Sequence, residues 1–211
     1  GRYLDTSSCR VSVDSIRLKF TYKYQNYSYE KKCSVTTIDQ LSCHIDNMFF
    51  NGCDTKWSYK DFFQIGSYCR TCTISGINWS CAVLFGRYCY DSSCKQIAPE
   101  AVFDFNPNKV PLEILQQVIA RLRGPALIVE LVRFDIAFDF PCKREAVTLV
   151  QDQRRSYRLF REKGAITEYQ GARSSHGSLK LYDKTKESGL SCDVTRCEIT
   201  VEGEYTGAFS E

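Results

Sequence analysis

Arg133-Phe134-Asp135-Ile136-Ala137-Phe138-Asp139-Phe140 is the stretch that decides the fold. It alternates apolar and polar residues with period two, as a strand with one buried and one working face does. Phe134, Ile136, Phe138 and Phe140 point one way, and Arg133, Asp135 and Asp139 the other. Two later stretches repeat the pattern. In Leu179-Lys180-Leu181-Tyr182-Asp183-Lys184, the leucines oppose Lys180, Tyr182 and Lys184. In Arg196-Cys197-Glu198-Ile199-Thr200-Val201, Cys197, Ile199 and Val201 oppose Arg196, Glu198 and Thr200.

Any one such strand is ordinarily a solvated face. If the three share a sheet, however, one face gathers three carboxylates, a tyrosine and several cations. That is the inventory for metal-assisted attack by a tyrosine on a phosphodiester.

The chain has 211 residues, 43% hydrophobic and 25% charged, which is the composition of a globular protein with a real core. No uninterrupted apolar run approaches the roughly 18 residues of a membrane span, so no membrane partner is expected. Net charge is only +3, but from Lys143 to Lys186 eleven Lys or Arg stand against five Asp or Glu. A local basic excess of that kind is expected where phosphates approach.

Twelve cysteines admit two readings. Their even number, with the sequons Asn26-Tyr27-Ser28 and Asn78-Trp79-Ser80, suits an extracellular disulfide-rich binding domain. Against that, disulfide frameworks serve small domains lacking a core. Cys81 and Cys197 also occupy positions where a strand wants a small apolar residue. A reduced, cytoplasmic protein is the expectation. Cys69-Arg70-Thr71-Cys72 is a lone CxxC, completed only irregularly by Cys89 and Cys94.

The pass along the chain predicts a strand over 13–22, with Val13, Ile16, Leu18 and Phe20 largely buried. A helix follows, opened by the Thr37…Gln40 capping box and stopped by Gly52. A hairpin over 68–75 and 81–90 turns at Gly76, and a strand spans 101–105. A second helix starts at Pro111 with the stripe Leu112, Leu115, Val118, Ile119 and Leu122, ending at Gly124. A long strand covers 127–140, a third helix 145–161, and two or three strands close the chain. This order implies an α+β fold: a mixed or antiparallel sheet with helices packed on one face. Two similar halves, 1–110 and 111–211, are expected in one compact unit, with the motifs in the second.

The second half resembles the Rep_trans family of rolling-circle plasmid replication initiators. The resemblance rests on Arg133 to Asp139, Tyr169-Gln170-Gly171-Ala172-Arg173-Ser174-Ser175, Lys180 to Lys184, and Thr195-Arg196-Cys197-Glu198-Ile199. It covers about residues 100 to 202, including Phe105-Asn106-Pro107-Asn108-Lys109; the first hundred residues match only in general layout. It implies a DNA strand transferase that nicks one strand at an origin and remains joined to the 5′ phosphate through a tyrosine. The motif tyrosine falls on Tyr182, and the acidic positions on Asp135, Asp139 and Glu198, which would hold Mg²⁺ or Mn²⁺.

Lys184 and the metal would stabilise the phenolate, since a phenol of pKa near 10 is a poor nucleophile at neutral pH. Arg196 and Arg173 would clamp phosphate, with Ser175 and Lys180 also on the DNA. Implied partners are origin DNA, single-stranded or cruciform at the nick site, a host helicase, and a second copy of the chain supplying another tyrosine. A DNA-binding relative without turnover is the alternative within the same fold. His44 and His176 lie 132 positions apart, which excludes a His-x-His metal pair; His44 reads as structural, and His176 precedes the tyrosine strand.

Overall fold

The computed structural model describes residues 9–22, 58–65, 68–91, 94–162, 164–171 and 177–205. The expected helix from Thr37 to Gly52 lies outside them, as do Arg173, Ser175 and His176. The described elements are β1 (Arg10–Tyr22), β2 (Ser58–Ile65), β3 (Tyr68–Gly76), β4 (Trp79–Asp91), β5 (Cys94–Phe105), α1 (Leu112–Arg123) and β6 (Ala126–Phe140). A 3₁₀ turn (Arg144–Ala146), β7 (Tyr157–Glu162), β8 (Ala165–Gln170), β9 (Ser178–Asp183), α2 (Lys184–Ser188) and β10 (Thr195–Tyr205) follow. Among the described residues the fold is dominated by sheet. The α+β expectation of helices covering one face holds only in part.

The chain divides into two compact units where the sequence suggested one. One holds Ile16–Val132 and the other Arg133–Gly203 with the start of β1 up to Ser15. In the first, strands run in the order β2-β3-β4-β5-β1. Its core joins Phe20, Val83, Phe85 and Phe103, all fully buried, to Leu115, Val118 and Leu122 of α1. Each such side chain contributes about 2 kcal/mol by leaving water. The helix forms where the stripe predicts, with Pro111 just before it and the Gly124 N–H closing it on the Ala120 carbonyl. Leu112, at the stripe's edge, is 70% exposed. The β3–β4 hairpin turns at Ile77-Asn78, one residue beyond Gly76, with Asn78 at φ 67°. A side chain at Gly76 would strike the Trp79 ring at 2.5 Å. In β1, Phe20 is buried as expected but Val13 is exposed.

The other unit orders its strands β6-β10-β9-β8-β7, antiparallel from β10 to β7. Here the sequence reading needs two corrections. Residues 145–161 are not a helix: a single 3₁₀ turn gives way to extended chain and then to β7. The reason is tertiary. Arg144 is buried, with its guanidinium donating to Glu168 of β8 and to the Val147 carbonyl at 2.6 Å, which pins the chain at once. Tyr157–Glu162 then pairs along all of β8, and backbone pairing overrides a weak helical stripe whose Val150 is 87% exposed.

The second correction is that β9 ends at Asp183. The Asp183 carboxylate accepts from the Lys186 N–H at 3.0 Å and so caps the short helix α2. Lys184 is therefore the first residue of a helix rather than a member of the strand face. The back of this sheet is tied down by Glu168, which accepts from both Arg144 and Tyr157 (2.8 Å for the tyrosine), and by Thr195, whose hydroxyl donates to the Cys142 carbonyl at 2.9 Å. Cys9, Cys72, Cys81, Cys142, Cys192 and Cys197 are free thiols, and no helix among the described residues is long and apolar enough to cross a membrane.

Candidate active site

Register builds the site. Thr167 of β8 pairs with Tyr182 of β9, which pairs with Arg196 of β10; Phe160 of β7 pairs with Thr167. The neighbouring row is Arg158, Tyr169, Lys180 and Glu198. Directly paired residues project to the same side of a sheet, so these two rows share one face. With Arg133 and Asp135, all of them but Arg196 line a cleft of about 1110 Å³.

Tyr182 lies at its floor, only 4% exposed. Its hydroxyl donates to Glu198 Oε1 at 2.6 Å, a diagonal reach, because Glu198 stands opposite Lys180. The Lys180 ammonium sits 3.8 Å from the centre of the phenol ring and that of Lys184 5.9 Å away, both within cation–π range. Burial pushes the Tyr182 phenol well above its ordinary value; the bond to Glu198 and the negative charges of Glu198 and Glu187 push it further, against an opposing pull from Arg196. The resting tyrosine is thus a neutral phenol already aligned with a proton acceptor.

Three of the cations are paired with carboxylates. Arg196 grips Asp139 with two parallel bonds, Nε to Oδ1 at 2.6 Å and Nη2 to Oδ2 at 2.7 Å, and its Nη1 lies 3.3 Å from Asp14. Lys184 donates to Glu187 at 2.5 Å. Burial would raise the Glu187 carboxyl, but the Lys184 bond, the Lys184 and Lys180 charges and the nearby Tyr182 hydroxyl outweigh it and hold it below the usual value. Lys180 Nζ is 3.9 Å from Glu198 Oε2.

Tyr182, Lys180, Lys184, Arg196 and Glu198 are therefore brought together. Asp135 joins the same cleft, but its carboxylate is held by Arg133 at 3.1 and 2.5 Å, and it is buried rather than exposed as the strand pattern suggested. Mg²⁺ or Mn²⁺ would need Asp135, Asp139 and Glu198 to converge. Their hard oxygens are the right donors, yet two are held by guanidinium groups and the third by the phenol. Among the described residues no group of three or more His, Cys, Asp or Glu side chains is placed to hold a metal. As arranged, the three carboxylates do not form a metal centre.

Sequence reasoning missed Glu187, Arg158 and Phe160. The last two fell in the expected third helix, although Tyr157-Arg158-Leu159-Phe160-Arg161-Glu162 carries the aromatic content of a strand. Glu187 is signalled by its place three residues after Lys184.

No family model matches the chain, and no curated protein does. Among solved structures it is similar to the rolling circle replication initiator protein from Geobacillus stearothermophilus, at 17% identity over 94% of this chain and 76% of that one, with a TM-score of 0.49. A likeness of that degree leaves function to be read from the site's own residues.

Proposed function

We propose that this protein is a DNA strand transferase of the kind that initiates rolling-circle replication, nicking single-stranded DNA through Tyr182 and later rejoining it. The observation that carries the reading is the 2.6 Å bond from the Tyr182 hydroxyl to Glu198, in a cleft lined by Lys180 and Arg158, with the Lys184 ammonium 5.9 Å from the phenol ring. The motif resemblance of residues 133–139, 169–175, 180–184 and 195–199 supports the same chemistry.

In the proposed step the Tyr182 oxygen bonds to phosphorus as its proton passes to Glu198, and the bond from phosphorus to the 3′ oxygen breaks. The departing oxygen takes a proton from water. The product is a phosphotyrosine ester to the 5′ end plus a free 3′ hydroxyl. The ester conserves the energy of the bond broken, so religation is the reverse step and needs no nucleotide. Glu198 acts as general base, while Lys180 and Lys184 stabilise the charge that grows on the phosphoryl oxygens. Placement on β9 directly after the buried Leu181 gives the phenol the fixed geometry that in-line attack demands.

The test is a single-stranded oligonucleotide carrying the nick site, incubated with the protein and run on a denaturing gel. A covalent adduct should form with the wild type and be absent with Tyr182→Phe, while DNA binding is retained. An adduct persisting in Tyr182→Phe would move the nucleophile elsewhere, with Tyr169 next in line.

A further inference from the structure

Beside the tyrosine lies a feature that the nicking step does not use. Phe160 is 53% exposed on β7, the last strand of its sheet, so its ring offers an open aromatic face in the cleft. Its register partner is Thr167, whose partner in turn is Tyr182. Two inter-strand steps therefore separate Phe160 from the nucleophile, about 10 Å across the face. Tyr169 braces the Phe160 ring edge-on, with centroids 5.5 Å apart at 89°. Arg158, exposed on the same strand face, and Lys180 flank the pair in the neighbouring row.

From this arrangement we infer that Phe160, braced by Tyr169, is a stacking platform for an unpaired base next to the scissile phosphate. This rests on the strand-transfer reading of the same cleft. The occupant is single-stranded DNA. An aromatic face can receive a base only when that base has left its duplex partner, and the cations on either side match a phosphate backbone rather than an apolar peptide. Stacking accepts any base, so the platform contributes affinity and orients the strand without choosing the sequence. Thr167, small and lying between the two rings, leaves room for the sugar that joins base to phosphate.

The test uses Tyr182→Phe protein, so that binding is read without cleavage, and oligonucleotides with 2-aminopurine at successive positions around the nick site. One position should show quenched fluorescence on binding. Adding Phe160→Ala should abolish that quenching and weaken single-strand binding about tenfold. Phe160→Trp should restore both, and duplex of the same sequence should be insensitive to either change. Equal binding and quenching with and without Phe160→Ala would overturn the platform even if the wild type forms its adduct. Quenching lost in Phe160→Ala, with no adduct ever formed by the wild type, would uphold the platform while removing the strand-transfer reading.

Discussion

Arg196 is the direct cross-strand partner of Tyr182, and its guanidinium grips Asp139 on β6 through two bonds of 2.6 and 2.7 Å while its Nη1 stays 3.9 Å from the Glu198 oxygen that the phenol bonds. The residue expected to clamp phosphate is thus, in the free protein, a cross-strand tie between β10 and β6. It still pulls the Tyr182 phenol downward through its charge.

If that tie is structural, Asp139→Ala and Arg196→Ala should each destabilise the protein by about 1.5–3 kcal/mol, the range of hydrogen bonds to charged groups. The double variant should cost clearly less than the sum of the two. Urea unfolding of the four proteins gives the coupling directly. A coupling within error of zero would mean that the pair is no more than a surface contact.

Glu198→Gln should lower single-turnover cleavage about 10²- to 10⁴-fold, the usual contribution of a general base. The pH profile separates this from simple misfolding. Because the phenol of Tyr182 is held above its ordinary value, raising the pH from about 7 to 9 populates almost no phenolate. The wild type, passing its proton to Glu198, should show a flat rate across that window. Glu198→Gln lacks the acceptor and must rely on phenolate, so its rate should climb about tenfold per pH unit. An equally steep climb in the wild type would remove Glu198 from the role of base.

Alkaline stability follows from two raised groups. Burial, with smaller contributions from the Glu198 and Cys9 charges, lifts the Cys197 thiol to about 11, and Tyr182 is raised as well. A group whose folded value exceeds its unfolded one contributes stability that is complete below the unfolded value. That contribution is lost as pH climbs towards the folded value. Stability should therefore fall from about pH 9 upward, and Tyr182→Phe and Cys197→Ala should each flatten the fall in thermal melts between about pH 8 and 11. At pH 8 a thiol alkylating reagent should label exposed Cys192 before Cys81, lifted by burial to about 12, or Cys197. Mass spectrometry of the labelled peptides reads the order; prompt labelling of Cys197 would contradict its raised, half-buried thiol.

Arg144 and Glu168 are both buried and joined to each other. Arg144→Ala leaves a buried carboxylate with only Tyr157 for a partner, so it should cost about 3–5 kcal/mol. Replacing both residues by Met should cost much less, since the desolvation of two ions is then removed together with their attraction. Loss of β7 in Arg144→Ala should appear as faster amide exchange over residues 157–162. A variant as stable as the wild type would show that the 3₁₀ turn, rather than this pair, holds the connection.

Asp135 differs from what its strand pattern implied, because period two assigns a face and says nothing about what covers that face. The same limit runs through the whole site. Alternation alone placed Lys180 and Tyr182 on one side of β9 and Glu198 and Arg196 on one side of β10, and the apolar stripe alone placed α1. These are local properties of the chain, set by how successive Cβ atoms project. Which carboxylate meets which cation was decided by register, a relation between strands far apart in sequence. A slip of two residues would keep every face and exchange every partner. Only the folded chain could therefore turn Arg196 to Asp139, bring Glu198 diagonally to Tyr182, end β9 at the Asp183 cap, and draw residues 157–162 into a strand that sets Phe160 beside the nucleophile.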